Sequence, residues 1–197
     1  GGLRLLVSPH DLSNRGLLES GVYESHVAAA LDALLSPGRA LCAVGANVGY
    51  HVIRAAHRVG ATGRVIAFEA NPDNAQLVAR SVARNGLDNL TILPLAVADR
   101  SALLRYVAAQ GTNGAVASLD ADARGGAASD ATQLVQAVSL DQLRSLLGRI
   151  DVLQMDVEGA EGLVLRGARE LLAASRPTIL AELSLGQLER TSRMTGE

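Results

Sequence analysis

A chain of 197 residues, 48% hydrophobic and 19% charged, is long enough for one sizeable α/β core and short for two domains. Its net charge of −2, the lack of any basic block and an aromatic content of 2% exclude a phosphate-tracking surface and a base-stacking platform, so nucleic acid is not an expected partner. The one cysteine, Cys42, excludes an internal disulfide and a cysteine-rich metal site, and no apolar run reaches the ~18 residues of a membrane span.

In chain order, residues 1–21 read as an N-terminal extension in which "LRLLV" forms a small extra strand. "VYESHVAAALDALL" (22–35) has helical period and is closed by Pro37-Gly38. "ALCAVG" (40–45) is a near-continuous apolar run, the pattern of a strand buried on both faces, with Cys42 in the core. "YHVIRAAHRV" (50–59) is a helix and "RVIAFEA" (64–70) a second strand. "PDNAQLVARSVARNG" (72–86) is a helix opened by Asn71-Pro72 and closed by Asn85-Gly86. "LTILPLAVA" (90–98) reads as a third strand. Residues 108–132, small and Gly/Ala-rich, are too long for an ordinary connection and suggest either a flexible functional loop or a disordered insert. "SLDQLRSLLG" (139–148) and "AEGLVLRGARELLAA" (160–174) are helices around the strand "DVLQMDVEG" (151–159), and "PTILAEL" (177–183) is the fifth strand. The Gly-Gly start and an end at "RTSRMTGE" without a closing element suggest a fragment truncated at its C-terminus, with an exposed apolar edge at the fifth strand. The alternation predicts a single α/β domain over 1–197 with a doubly wound, mostly parallel sheet. No signal pattern opens the chain, so a cytoplasmic location is expected.

Ligands of open α/β sheets bind beyond the carboxyl ends of the strands, so the residues after each apolar run carry the functional expectations. Gly45-Ala46-Asn47-Val48-Gly49 forms a glycine turn in which Gly45 permits the sharp bend and Gly49 a close approach at the helix start. Asn47 stands where a dinucleotide fingerprint needs its second glycine, which disfavours a pyrophosphate and admits a nucleoside such as S-adenosylmethionine. Glu69, at the end of the second run, is placed to accept both hydroxyls of a ribose. Asn71 and Asp73 read as turn and first-turn residues.

In "QMDVEGAE", Asp156 and Glu158 are two apart and share a face while the strand stays extended. Two carboxylates there could accept a hydroxyl proton, hold a sulfonium end or bind a metal; the structural alternative is a helix cap at Glu158 or Glu161 and a salt bridge at Asp156. His51, beside the turn, is a third candidate base, and otherwise a helix-surface residue like His57. The histidines show no metal spacing, so no metal is assigned.

The run from "GANVGYHVIRAAHRVG" through "AFEANPDN" and "LPLAVAD", with "VSLDQL", "IDVLQMDVEGAEGLVLRGARELL" and "RPTILAEL", resembles the FkbM-type S-adenosylmethionine-dependent methyltransferases over nearly the whole chain. The resemblance implies a class I (Rossmann-like) methyltransferase fold, S-adenosyl-L-methionine as cofactor, and O-methylation of a hydroxyl on a sugar, glycolipid or natural product. It places Gly45, Asn47 and Gly49 in the cofactor loop, Glu69 on the ribose, Tyr23-Glu24 near the cofactor, Ala96 at the adenine edge, and Asp156 and Glu158 beside the transferring methyl. Two positions depart from the family pattern: Ala43 replaces the first-strand acid, and Gln154 replaces the Lys before "DvEG". The first removes a carboxylate that helps organise the methionine end, the second a cation that would neutralise a developing alkoxide. They motivate the alternative of a weakened or inactive binding module.

Overall fold

A computed structural model describes residues 2–8, 15–108, 115–118, 133–183 and 185–192. In chain order these form α1 (Arg15–Ser20), α2 (Ser25–Leu34), β1 (Ala40–Val44), α3 (Tyr50–Val59), β2 (Arg64–Phe68), α4 (Pro72–Asn85), β3 (Leu90–Leu93) and β4 (Ala96–Val97). Next come β5 (Ala102–Ala108), β6 (Ala115–Ser118), β7 (Gln133–Val138), α5 (Arg144–Leu147) and β8 (Val152–Met155). The last elements are α6 (Glu161–Arg166), α7 (Arg169–Ser175), β9 (Thr178–Ala181) and α8 (Leu185–Ser192).

The central sheet has the order β3-β2-β1-β8-β9, and every pair in it is parallel. Alternate residues of β1 feed opposite faces, as the two-sided apolar run predicts. Leu41 and Ala43 join Leu31, Leu35, Val52, Ala56 and Val78 on one side. Cys42 and Val44 join Leu140, Leu147, Val164 and Leu171 on the other. Burial pushes the Cys42 thiol up to about 12, so it is a neutral packing group. Phe68, with no exposed surface, supplies about 1.5–3 kcal/mol of apolar burial at the end of β2.

Several local expectations hold in detail. Asn71 caps α4, its Oδ1 accepting the Asp73 amide at 2.9 Å, with Pro72 at the first helical position. Gly86 closes α4 in the left-handed region at φ 62°. The edge strand β9 leaves Ile179 and the following Leu183 exposed.

Others are corrected. "LRLLV" is no strand; its backbone bonds to α4 side chains instead, Arg4 N–H to Asn85 Oδ1 and Leu6 N–H to Ser81 Oγ, each at 2.9 Å. The run 90–98 breaks at Pro94, where a tight turn bonds Leu95 N–H to the Leu93 carbonyl at 2.8 Å. β3 stays in the central sheet, whereas β4 moves to a second sheet of order β4-β7-β5-β6. Of the expected loop 108–132, Ala108 ends β5 and residues 115–118 are β6; the remainder lies outside the described residues. The expected helix 139–148 is realised as a reciprocal cap followed by the four-residue α5: Ser139 Oγ accepts the Gln142 amide and Gln142 Oε1 the Ser139 amide. α8 follows β9, where no closing element was expected, and buries Leu188.

The expected helix 160–174 divides into α6 and α7 at Gly167, because a Cβ there would lie 2.1 Å from the Ala98 carbonyl oxygen. That approach brings α6 against the second sheet, where Leu163 packs with Ala96, Ala98, Leu104 and Tyr106. Gly167→Ala should lower stability by about 1–3 kcal/mol in urea unfolding. Gly186→Ala, whose Cβ would meet nothing within 4 Å, should be neutral or stabilising.

Candidate functional site

The strand order reverses at β1, whose neighbours are β2 and β8, and the site forms over these three carboxyl ends. The Gly45 and Ala46 amides both donate to the Phe68 carbonyl, at 3.0 and 2.9 Å, and fold the turn onto the end of β2. Gly45 has φ 84°, and a Cβ there would lie 1.9 Å from the Asp156 carbonyl oxygen. Only glycine therefore lets the β1 turn lie against the segment that leaves β8. Asn47 takes φ 50°, a left-handed conformation that asparagine tolerates, and its Oδ1 accepts from Asn74 Nδ2 at 3.2 Å.

Glu69 closes β2 and is 8% exposed. Its Oε2 accepts the Asn47 amide at 2.7 Å and its Oε1 the Asn71 amide at 2.8 Å. Burial pushes the carboxyl up to about 7, and the two amide donors oppose that shift. Each oxygen has a second lone pair, and Glu69 lines a cleft together with Gly45, Asn47, Ala96, Asp156 and Glu158. The far wall is apolar and comes from the second sheet and α6: Ala98, Leu104, Tyr106 and Leu163. Burial followed by the Glu69 charge pushes the pKa of the Tyr106 hydroxyl up, and the nearby Asn71 side chain opposes that shift.

At the other end, the Asp156 carboxyl is pushed up to about 7 by burial first, then by Glu182, Glu24, Glu158 and Glu161. These charged neighbours are all carboxylates, so the expected salt-bridge alternative for Asp156 does not describe it. Carboxylate oxygens of Glu24, Asp156 and Glu182 lie within 4.8 Å of one another, the one such convergence of acidic, His or Cys groups among the described residues. That concentration of negative charge favours a cationic group nearby. Glu24, at φ 43°, precedes α2, and Tyr23 stands next to it, with burial first and then the Glu24 charge pushing its hydroxyl pKa up.

Two expected site residues are placed differently. His51 is buried, not a helix-surface residue; its Nε2 faces Glu24 Oε2 at 3.0 Å behind the cleft lining. Burial lowers its pKa and the Glu24 carboxylate opposes that shift, so its geometry is that of a partner to Glu24. Gly49 lies outside the cleft lining, where a Cβ would meet Val78 Cγ2 at 2.9 Å, so its close approach is to α4 and not to a ligand. Tyr23 and Glu24 stand beside Asp156, also outside that lining. His57 is exposed, as expected.

Sequence reasoning missed Tyr106, Leu104, Asn74 and Glu182. Glu182 had a signal, since it ends the fifth apolar run. Tyr106 and Leu104 had only the weak alternation of "ALLRYV", which no glycine turn or helical crossover frames.

Residues 43–197 match the family model of the Methyltransferase FkbM domain. Among solved structures, the FkbM methyltransferase of Methylobacillus flagellatus KT aligns at TM-score 0.52 and 16% identity, over 82% of this chain and 34% of that one. The precorrin-6y C5,15-methyltransferase of Geobacter metallireducens GS-15 aligns at TM-score 0.51 and 16% identity, over 89% and 72%. None of the curated proteins compared with the chain matches it. The chain thus spans about a third of the length of the FkbM structure, and the two likenesses show the class I methyltransferase fold. With the domain match running from Ala43 through the glycine turn, Glu69 and the Asp156–Glu158 turn to the last residue, this chain belongs to the FkbM methyltransferase family.

Proposed function

We propose that the cleft binds S-adenosyl-L-methionine and that the chain transfers its methyl to a hydroxyl of a sugar, glycolipid or natural product. The observation that carries this is Glu69, a buried carboxylate held by the Asn47 and Asn71 amides at the edge of a cleft that continues to Asp156 and Glu158. Its remaining lone pairs suit a vicinal diol. Ala96 and the apolar wall behind it suit a flat heterocycle. The carboxylates of Glu24, Asp156 and Glu182 suit the cationic amino-acid end. They supply negative charge that Ala43, fully buried in the apolar core, does not.

The cofactor would bring an electrophilic methyl on a sulfonium, chemistry that needs alignment and water exclusion more than further activation. The protein's own part is to place the acceptor oxygen and take its proton. Asp156, with its pKa raised to about 7, suits that role, and Glu158 stands next to it at the cleft. His51 acts one step back, by orienting Glu24.

The second reading, a module that binds cofactor without transferring the methyl, is favoured by Gln154. This neutral side chain is 5% exposed in the middle of β8, between Ala43 and Leu180, where the family pattern has a cation. Calorimetric titration with S-adenosylmethionine, then transfer of labelled methyl to a panel of polyols and glycans, separates the two. Absence of binding at millimolar cofactor overturns both, and binding with no transfer to any hydroxyl favours the second.

Glu69→Ala should weaken cofactor binding about ten- to a hundredfold, the worth of hydrogen bonds to a charged group. At saturating cofactor, transfer should rise with pH to a midpoint no higher than about 7, because protonation removes Asp156 as the base. In Asp156→Asn that pH dependence should disappear together with most of the turnover.

A further inference from the structure

Asp156 and Glu158 reach the cleft from a turn whose backbone is unusual at two successive residues: Glu158 has φ 52° and Gly159 φ 94°. A turn of this kind holds its shape only when its surroundings determine it. The determining group is Glu161, the first residue of α6 and 2% exposed. Its Oε1 accepts the amides of both Val157 and Gly159, each at 3.2 Å, so one oxygen spans the turn from inside. From the opposite side Ser192 Oγ of α8 donates to the Gly159 carbonyl at 2.5 Å, and Arg166 Nη2 donates to the Ser192 carbonyl. Upstream, the Asp156 amide bonds to the Val44 carbonyl at 3.0 Å and anchors the entry to the turn.

Packing alone does not explain a carboxylate at this place. Glu161 Oε2 is buried and meets no hydrogen-bond partner among the described residues. A half-satisfied buried carboxylate is costly, and a smaller apolar residue would fill the space at lower cost. What an apolar residue cannot supply, and a side chain of this length ending in an acceptor oxygen can, is one oxygen that reaches two amides two residues apart.

We propose that Glu161 is a positioning residue: it fixes the Val157–Glu158–Gly159 turn and thereby aims Asp156 and Glu158 at the acceptor side of the cleft, touching neither cofactor nor acceptor. This rests on the transfer reading above, in which those two carboxylates face the reacting oxygen. Glu161→Gln keeps an Oε1 that can accept both amides. Glu161→Asp keeps the charge but is one methylene too short to span them, and Glu161→Ala removes the acceptor.

The test reads the turn and the turnover separately, on the full 197-residue chain. Amide hydrogen exchange should show the Val157 and Gly159 amides losing protection in Glu161→Asp and Glu161→Ala, and keeping it in Glu161→Gln, while the β1 and β2 amides stay protected in all three. Where transfer is measurable, the Asp and Ala variants should lose roughly 10²-fold in kcat, the effect of a displaced group of about 1 Å. KM for cofactor should not rise to match, and Gln should restore the rate. Unchanged protection of the two amides in Glu161→Asp overturns the proposal. So does a Gln variant as slow as the Ala variant, or a loss confined to cofactor KM. If Glu161→Ala does not fold, the Asp and Gln pair carries the comparison. If the wild-type chain transfers no methyl, the exchange result still decides the role of Glu161, and the failure belongs to the transfer reading.

Discussion

The site depends on one close contact, the Gly45 α-carbon lying against the carbonyl of Asp156. β1 and β8 are neighbours in the sheet, so the turns that follow them compete for the same space above it. With no Cβ at Gly45 the two turns share that space, and the first folds over β2 to bond Phe68 while the second turns away into α6. This juxtaposition puts Glu69 and Asp156 on one cleft. Without it, Glu69 and Asp156 would be two unrelated buried carboxylates.

Both acids are strained electrostatically in the same direction and offset differently. Glu69 is buried against two backbone amides, which favour its charged form. Asp156 is buried among other carboxylates, which disfavour its charged form further. Both carboxyls are thereby raised to about 7, and they differ in what surrounds them: backbone amide donors at Glu69, other carboxylates at Asp156. The ring of His51 holds the intervening Glu24 at 3.0 Å.

The parallel core was legible from its apolar runs, because strands covered on both faces leave a composition signal that survives without context. Glu69, Gly45, Asp156 and Glu158 were legible because each follows such a run. The second sheet was not: β5 to β7 alternate weakly, and β4 is severed from its run by Pro94, a break that depends on which sheet offers a partner. Tyr106 went unseen with it, although it lines the cleft. Gly167 was read inside one long helix because its close approach to Ala98 is a tertiary fact with no local trace. Gly49 and His51 show the opposite limit. Proximity to the turn in sequence suggested ligand contact, and the fold sets the Gly49 backbone close against Val78 and the His51 ring against Glu24.

The central claim is that the β1 turn, the end of β2 and the turn after β8 form one cofactor site. Amide chemical shifts of the isotope-labelled chain, recorded on titration with S-adenosylhomocysteine, test it most directly. The account predicts saturable shifts at Gly45, Asn47, Asn71 and Val157–Ala160, with the amides of α7 and β9 unmoved. No shift at millimolar ligand, or shifts confined to residues away from these three strand ends, would contradict it.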